Sequence, residues 1–188
     1  MTDQFMEEAT VKQNRGAQNA MYIMAWVLMI LFGVVALYFF MCLTTIIQIF
    51  ASGDVPSGLI NVAILLVSAA CCALLWFKKD TLKTEYDYTI TNSQMDFAAV
   101  YNNQKRKALG TMNLKNISAC GDVTSGSFRR YIEMPGIKRK NWFVNREANL
   151  FYLYYKKNDV STIIIIEPSD EMKTMIKHAV APGVYQVN

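Results

Sequence analysis

The spacing of hydrophobic and polar positions changes character once along this chain. Before about residue 78 the apolar positions form two unbroken runs, "AMYIMAWVLMILFGVVALYFFMCLTTIIQIF" over residues 20–50 and "LINVAILLVSAACCALLWF" over residues 59–77. No Asp, Glu, Lys, Arg or His occurs from residue 16 to residue 53. A helix that crosses a bilayer needs about 20 predominantly apolar residues, because each advances about 1.5 Å through a hydrocarbon core of about 30 Å. Both runs reach that length. The first exceeds it, so it is expected to tilt, protrude or continue as helix beyond the lipid. The connecting "ASGDVPSG" is made of turn-forming Gly, Pro, Ser and Asp, which makes the pair a hairpin. A cleaved signal peptide would have an apolar core of only about 7 to 15 residues behind a short basic segment. Here the core is longer and follows the acidic-leaning "TDQFMEEATVKQNRG".

From residue 84 the pattern becomes short Tyr-, Ile-, Val-, Phe- and Thr-rich segments separated by Asn, Gly and Asp, the signature of strands and turns. "TEYDYTIT" alternates strictly, with Tyr86, Tyr88 and Ile90 on one face and Asp87, Thr89 and Thr91 on the other. Asn92-Ser93 turns the chain into "QMDFAAVY", and Asn102-Asn103 turns it again into "KRKALGTM", asparagine being tolerant of the positive φ of a tight hairpin. A fourth strand is expected over residues 117–123. The connection "TSGSFRRYIEMPGIKRKN" reads as a long loop, and "WFVN", "LFYLYY" and "VSTIIII" read as three further strands. The last of these is too short for a third membrane segment, since seven residues cover about 10 Å as helix but about 23 Å as strand. Its β-branched residues suit a buried strand. Beyond it, Ser169 is a favoured N-cap, Asp170 and Glu171 complement the helix dipole, and Met172, Met175, Ile176 and Ala179 line one face of a helix that "APG" terminates.

The expected organisation is a segment over residues 1–19, a transmembrane hairpin over 20–77 and a folded domain over 84–188. Composition agrees, with a hydrophobic fraction of 53% in 188 residues that is concentrated in the two runs. Charge sets an orientation. Lys12 and Arg15 precede the first run, Lys78, Lys79 and Lys83 follow the second, and the connecting loop has no Lys or Arg. The positive-inside rule then places both termini in the cytoplasm of a multi-pass protein of the cell membrane, with Tyr22, Trp26, Trp76 and Phe77 near the cytoplasmic interface. Of the cysteines, Cys42, Cys71 and Cys72 lie in apolar helix and Cys120 in the domain, so neither a disulfide framework nor a metal-ligand spacing exists.

Seven short antiparallel strands closed by a C-terminal amphipathic helix, behind a membrane hairpin, resemble the bacterial pleckstrin-homology-like (PH-like) domains that follow paired transmembrane helices. The run "YDYTITNSQMDFAAVYNNQKRKAL" resembles the opening three strands of such a domain. The whole chain, with its "EPSDEMKTMIKHAVAPGVY" ending, also resembles a family of small membrane proteins from Gram-positive anaerobes. The resemblance implies an α+β fold, a PH-like β-barrel or sandwich of about seven antiparallel strands. It implies little about function, since one fold hosts many functions. Phosphoinositide-binding relatives use basic residues around the first hairpin loop. Here that loop is "TNSQ", with no Lys or Arg, which argues against headgroup recognition of that kind.

Catalysis has no visible apparatus. His178 is the one histidine and belongs to a helix end, while "GTMNLKN" and "GDVTSGS" match no phosphate-loop or dinucleotide spacing, so neither an enzyme nor a cofactor is expected. Basic charge is the stronger signal. Residues 78–188 hold 17 Lys or Arg against 11 Asp or Glu, and the dense groups are Lys105, Arg106 and Lys107, then Arg129 and Arg130 with Lys138, Arg139 and Lys140. These eight residues are the candidate contacts for an anionic lipid surface or a protein partner; nucleic acid is not expected of a membrane-attached chain. The functional expectation is a membrane-anchored, non-catalytic binding or scaffold module. The alternative is an accessory or regulatory subunit of a larger membrane complex, such as a transporter, gripped through the hairpin.

Overall fold

Asn14 starts the first long helix, its side-chain oxygen accepting the Ala17 N–H at 3.4 Å. In the computed structural model, which describes residues 5–186, that helix (α1) runs Arg15–Met41. It breaks at Cys42 and resumes as α2, Leu43–Ala51. After a turn at Gly53, where φ is +89°, Asp54 caps the third helix (α3, Val55–Lys78) by accepting the Ser57 N–H at 3.3 Å. One 3-10 segment, Lys79–Lys83, follows. The excess length of the first apolar run is thus absorbed by continued helix past a break. α3 folds back on α1 and α2 through small residues. A Cβ at Gly58 would stand 2.7 Å from the Phe50 ring, and the Cys72 thiol lies 3.5 Å from the Met29 carbonyl oxygen. Two helices are long and apolar enough to cross a membrane, and most of their apolar side chains point outward, Leu66 being 63% exposed.

The chain divides into two compact units, Asn14–Lys83 and a second formed by Met1–Gln13 with Thr84–Asn188. In the second unit β1 (Phe5–Thr10), β2 (Thr84–Thr91), β3 (Gln94–Tyr101) and β4 (Lys105–Asn113) make one antiparallel sheet in sequence order. β5 (Ala119–Asp122), β6 (Lys138–Trp142), β7 (Phe151–Lys157), β8 (Val160–Ile166) and β9 (Tyr185–Gln186) make the other, in the order β6-β8-β7-β5-β9. The tight turns are built as the asparagines promised: Asn102 and Asn103 have φ of 50° and 54°, and Asn158 and Asp159 have 49° and 60°. Two helices complete the unit, α4 (Gly126–Ile132) and α5 (Asp170–Ala179). Ser169 caps α5 as expected, accepting the Met172 N–H at 3.2 Å.

One face of the second sheet meets the first sheet and α5. Tyr88, Ile90 and Phe97 pack there with Phe151, Leu153, Ile164, Ile166, Met172 and Ile176. The opposite face is also covered: Ala119, Tyr152, Tyr154 and Ile163 lie under Phe128, Tyr131, Met134 and Ile137 from α4 and the segment after it. That second cover explains the four consecutive isoleucines. A strand buried on both faces has no polar alternation to show.

The structure corrects the sequence expectation in three places. The described residues hold nine strands rather than about seven, and two pairings, β6 with β8 and β5 with β9, are parallel. At the second of these a Cβ on Gly121 would meet the Gln186 carbonyl oxygen at 2.6 Å, so glycine is what lets β9 approach. The stretch expected as a long loop is instead α4 followed by β6, and β6 ends at Trp142 where a strand was expected to begin. The reason is tertiary: the Val144 and Asn145 N–H groups donate to the Glu167 carboxylate at 3.2 and 2.9 Å instead of to a neighbouring strand. Finally, Phe5–Thr10, set apart from the domain on sequence, is an edge strand of its first sheet, paired along its whole length with β2.

Candidate interaction surface

The eight basic candidates fall in two places. Lys105, Arg106 and Lys107 open β4, the outer strand of the first sheet, and all three are exposed. Alternation separates them. Arg106 turns to the sheet face shared with Glu7 and Asp87, lying 3.4 and 3.5 Å from their carboxylates. Burial pushes the Asp87 carboxyl up, Arg106 pulls it back, and Glu7 adds to the rise. Lys105 and Lys107 stand on the other face, with Tyr101 and Ala99 as their register partners.

The remaining five belong to the second sheet and its cover. Arg129 and Arg130 occupy the last turn of α4 and are exposed. Lys138, Arg139 and Lys140 lie on β6, an edge strand, where basic residues commonly discourage strand-on-strand association. Arg139 donates to the Ile132 carbonyl at 2.6 Å, closing the C-terminal end of α4 and joining β6 to the helix. Lys140 holds its ammonium 5.0 Å from the centre of the Trp142 ring, which itself packs 4.8 Å from Phe97. Arg129, Arg130, Lys138 and Arg139 therefore share one region, and Lys105 and Lys107 belong to a different one.

Sequence reasoning missed a polar junction where β1, β2, β8 and α5 converge. The Glu167 carboxylate accepts the two backbone N–H groups already named and the Asn145 side-chain amide at 2.7 Å. Asn145 also donates to the Val11 carbonyl at 3.0 Å and accepts the Gln13 N–H at 2.9 Å. Thr10 donates to the Glu167 carbonyl at 3.1 Å, and both oxygens of Glu8 accept the Ser169 N–H, at 2.9 and 3.0 Å. Tyr88, whose hydroxyl stays protonated because burial raises it further, donates to the Trp142 carbonyl. The signal available in the sequence was an acid, Glu167, placed directly after four buried isoleucines. Its partners are 22 to 157 positions away and left no local trace.

No arrangement for nucleophilic catalysis appears among the described residues. Burial pushes the Cys120 thiol up to about 12, and His178 is exposed on α5. No group of three or more His, Cys, Asp or Glu side chains is placed to hold a metal among those residues.

A family model described as a bacterial PH-like domain (DUF6106) matches residues 2–186, which takes in β1, the apolar helices, both sheets and α5. The chain belongs to this family. No curated protein and no solved structure matches it.

Proposed function

We infer that the protein is a membrane-anchored, non-catalytic binding or scaffold module that holds its PH-like domain at the cytoplasmic face of the cell membrane. The observation that supports this is the point of attachment: the hairpin is inserted between β1 and β2, two strands that pair from Phe5 with Thr91 to Thr10 with Tyr86. Paired strands lie on one side of a membrane. Both ends of the hairpin therefore emerge on that side, as two spans require. The Lys and Arg residues flanking the hairpin support a cytoplasmic placement of that side, by the positive-inside rule. A collar of aromatic and basic side chains marks the same end: Lys79 sits 5.2 and 4.9 Å from the Trp26 and Trp76 rings, and Lys83 sits 4.3 Å from Tyr22. Such side chains, with an apolar body and a polar tip, suit the membrane interface. PH-like domains are generally non-catalytic, and the partner expected is a lipid surface or a protein met at the membrane.

Reporter fusions at Gly53 and after residue 186, with alkaline extraction of membranes, test this reading. Expected are an external loop, an internal C-terminal end and retention in the membrane. An external C-terminal end, or release by alkali, would sink it.

A further inference from the structure

The register of the first sheet separates the basic groups by their distance from the hairpin, and composition alone gave no hint of this. Thr84, the first residue of β2, directly follows the 3-10 segment that ends the hairpin. It pairs with Tyr101, and Tyr101 pairs with Lys105. Tyr86 pairs with Thr10 on one side and with Ala99 on the other, and Ala99 pairs with Lys107. The end of the sheet where the chain enters from and leaves to the hairpin is thus also the end that carries the β3–β4 turn and its lysines. Strands stand about 4.8 Å apart, so Lys105 lies about 10 Å across the sheet from Thr84. The opposite end carries the "TNSQ" turn, where Thr91 pairs with Gln94 and Gln94 with Asn113.

We propose that the β3–β4 hairpin, through Tyr101, Lys105 and Lys107, rests on the anionic surface of the bilayer in which the protein is anchored. The proposal builds on the anchoring reading and names the surface that the domain meets. Charge complementarity and connectivity both point to it. Lys105 and Lys107 are exposed and share one face with the half-buried ring of Tyr101, whereas Arg106 lies on the opposite face, beside Glu7 and Asp87. Anionic cytoplasmic leaflets attract basic groups only within about a Debye length, roughly 8 to 10 Å, so closeness to the attachment point decides which lysines count. The β6 cluster does not qualify. β6 leads toward Asn145, which binds Val11 and Gln13 beside the hairpin, but Lys138 starts the strand about 23 Å of extended chain earlier. The role of orienting the domain accordingly moves from Arg129, Arg130 and the Lys138 to Lys140 group to the β3–β4 turn.

The test uses the full chain in lipid nanodiscs of phosphatidylcholine alone and of an equal mixture with phosphatidylglycerol, with amide hydrogen exchange as the readout. Exchange over residues 101–107 should be slower in the anionic discs, and high salt should abolish the difference. Each lysine within reach of the surface strengthens contact about fivefold. Lys107→Glu alone should therefore weaken the protection at least that much, and Lys105→Glu with Lys107→Glu should remove it. Lys157→Glu, at the exposed end of β7 beside the far end of β4, should leave it intact. Equal exchange in the two discs overturns the proposal. So does protection that appears over Lys138–Trp142 and not over residues 101–107, and so does a double variant that behaves as the parent. A chain that does not stay in the disc overturns the anchoring reading, and the proposal with it. Because the discs hold no other protein, an acidic protein partner cannot produce the expected result.

Discussion

The outward face of the hairpin and the β8 strand are built from the same kinds of residue and put them to opposite use. Leu66 on α3 is 63% exposed, whereas Ile164 on β8 is 2% exposed. Each arrangement fits its setting. A helix of about 36 Å can satisfy every backbone group internally and turn its side chains to hydrocarbon, while a seven-residue strand must pair its backbone with neighbours and surrenders both faces to them. Hydrophobicity alone does not say where a residue goes. Segment length and backbone satisfaction do.

The largest expected effect comes from exchanging the two settings. Ile164→Asp places an uncompensated charge in the core and should unfold the PH-like domain, since such a charge costs several kcal/mol against a total of roughly 5 to 15. Ile164→Ala should cost about 2 to 5 kcal/mol, while Leu66→Ala should leave domain stability unchanged. Denaturant melts of the reconstituted chain, followed through tertiary signal, compare them. A domain that tolerates Ile164→Asp would erase the contrast.

A smaller effect separates the domain from the hairpin altogether. A fragment over residues 84–186 loses β1, and with it the Glu8 acceptor for the Ser169 N–H and the Thr10 bond to Glu167. Each such hydrogen bond contributes about 0.5 to 1.5 kcal/mol net, and the first sheet also loses a strand. That fragment should melt earlier and less cooperatively than one in which residues 5–13 are joined to 84–186 by a short Gly-Ser linker. The joined form should fold without detergent, because its apolar residues close on themselves. If both melt alike, β1 contributes nothing to the domain.

The smallest effect concerns Asp87. Its carboxyl is raised in the folded state, chiefly by burial, so the unfolded chain releases this proton first as pH rises. Asp87 therefore lowers stability as pH climbs past the ordinary value of 3.8, and imposes no penalty below it. Asp87→Asn should flatten that part of the stability profile in melts between acid and neutral pH. A variant profile parallel to the parent's would show that Arg106 fully compensates the burial.

The hairpin of long apolar helices was legible because its signal is local: enough uncharged residues in a row, with turn formers between. The β2–β3 and β3–β4 turns and the α5 cap were legible for the same reason, since Asn102, Asn103 and Ser169 act on residues within three positions. α4 was not. Its roughly two turns carry Phe128 and Tyr131 toward a sheet formed by distant segments, and Gly, Ser and Pro around it look like loop. β1 was hidden because it must be paired across the whole hairpin, and β6 because its basic residues mark an exposed edge that alternation cannot reveal.

The sequence by itself determined which segments are long and apolar enough to cross a membrane, where the domain begins to alternate, and that four isoleucines form a strand and not a span. These follow from period, length and charge, which act through neighbours. Only the tertiary structure decided that Phe5–Thr10 completes the first sheet, that the second sheet is covered on both faces, and which lysines stand at the end joined to the hairpin. Those depend on strand register, and register is set by partners between four and about ninety positions apart, whose pairing is paid in loop entropy and repaid only once the whole sheet has formed.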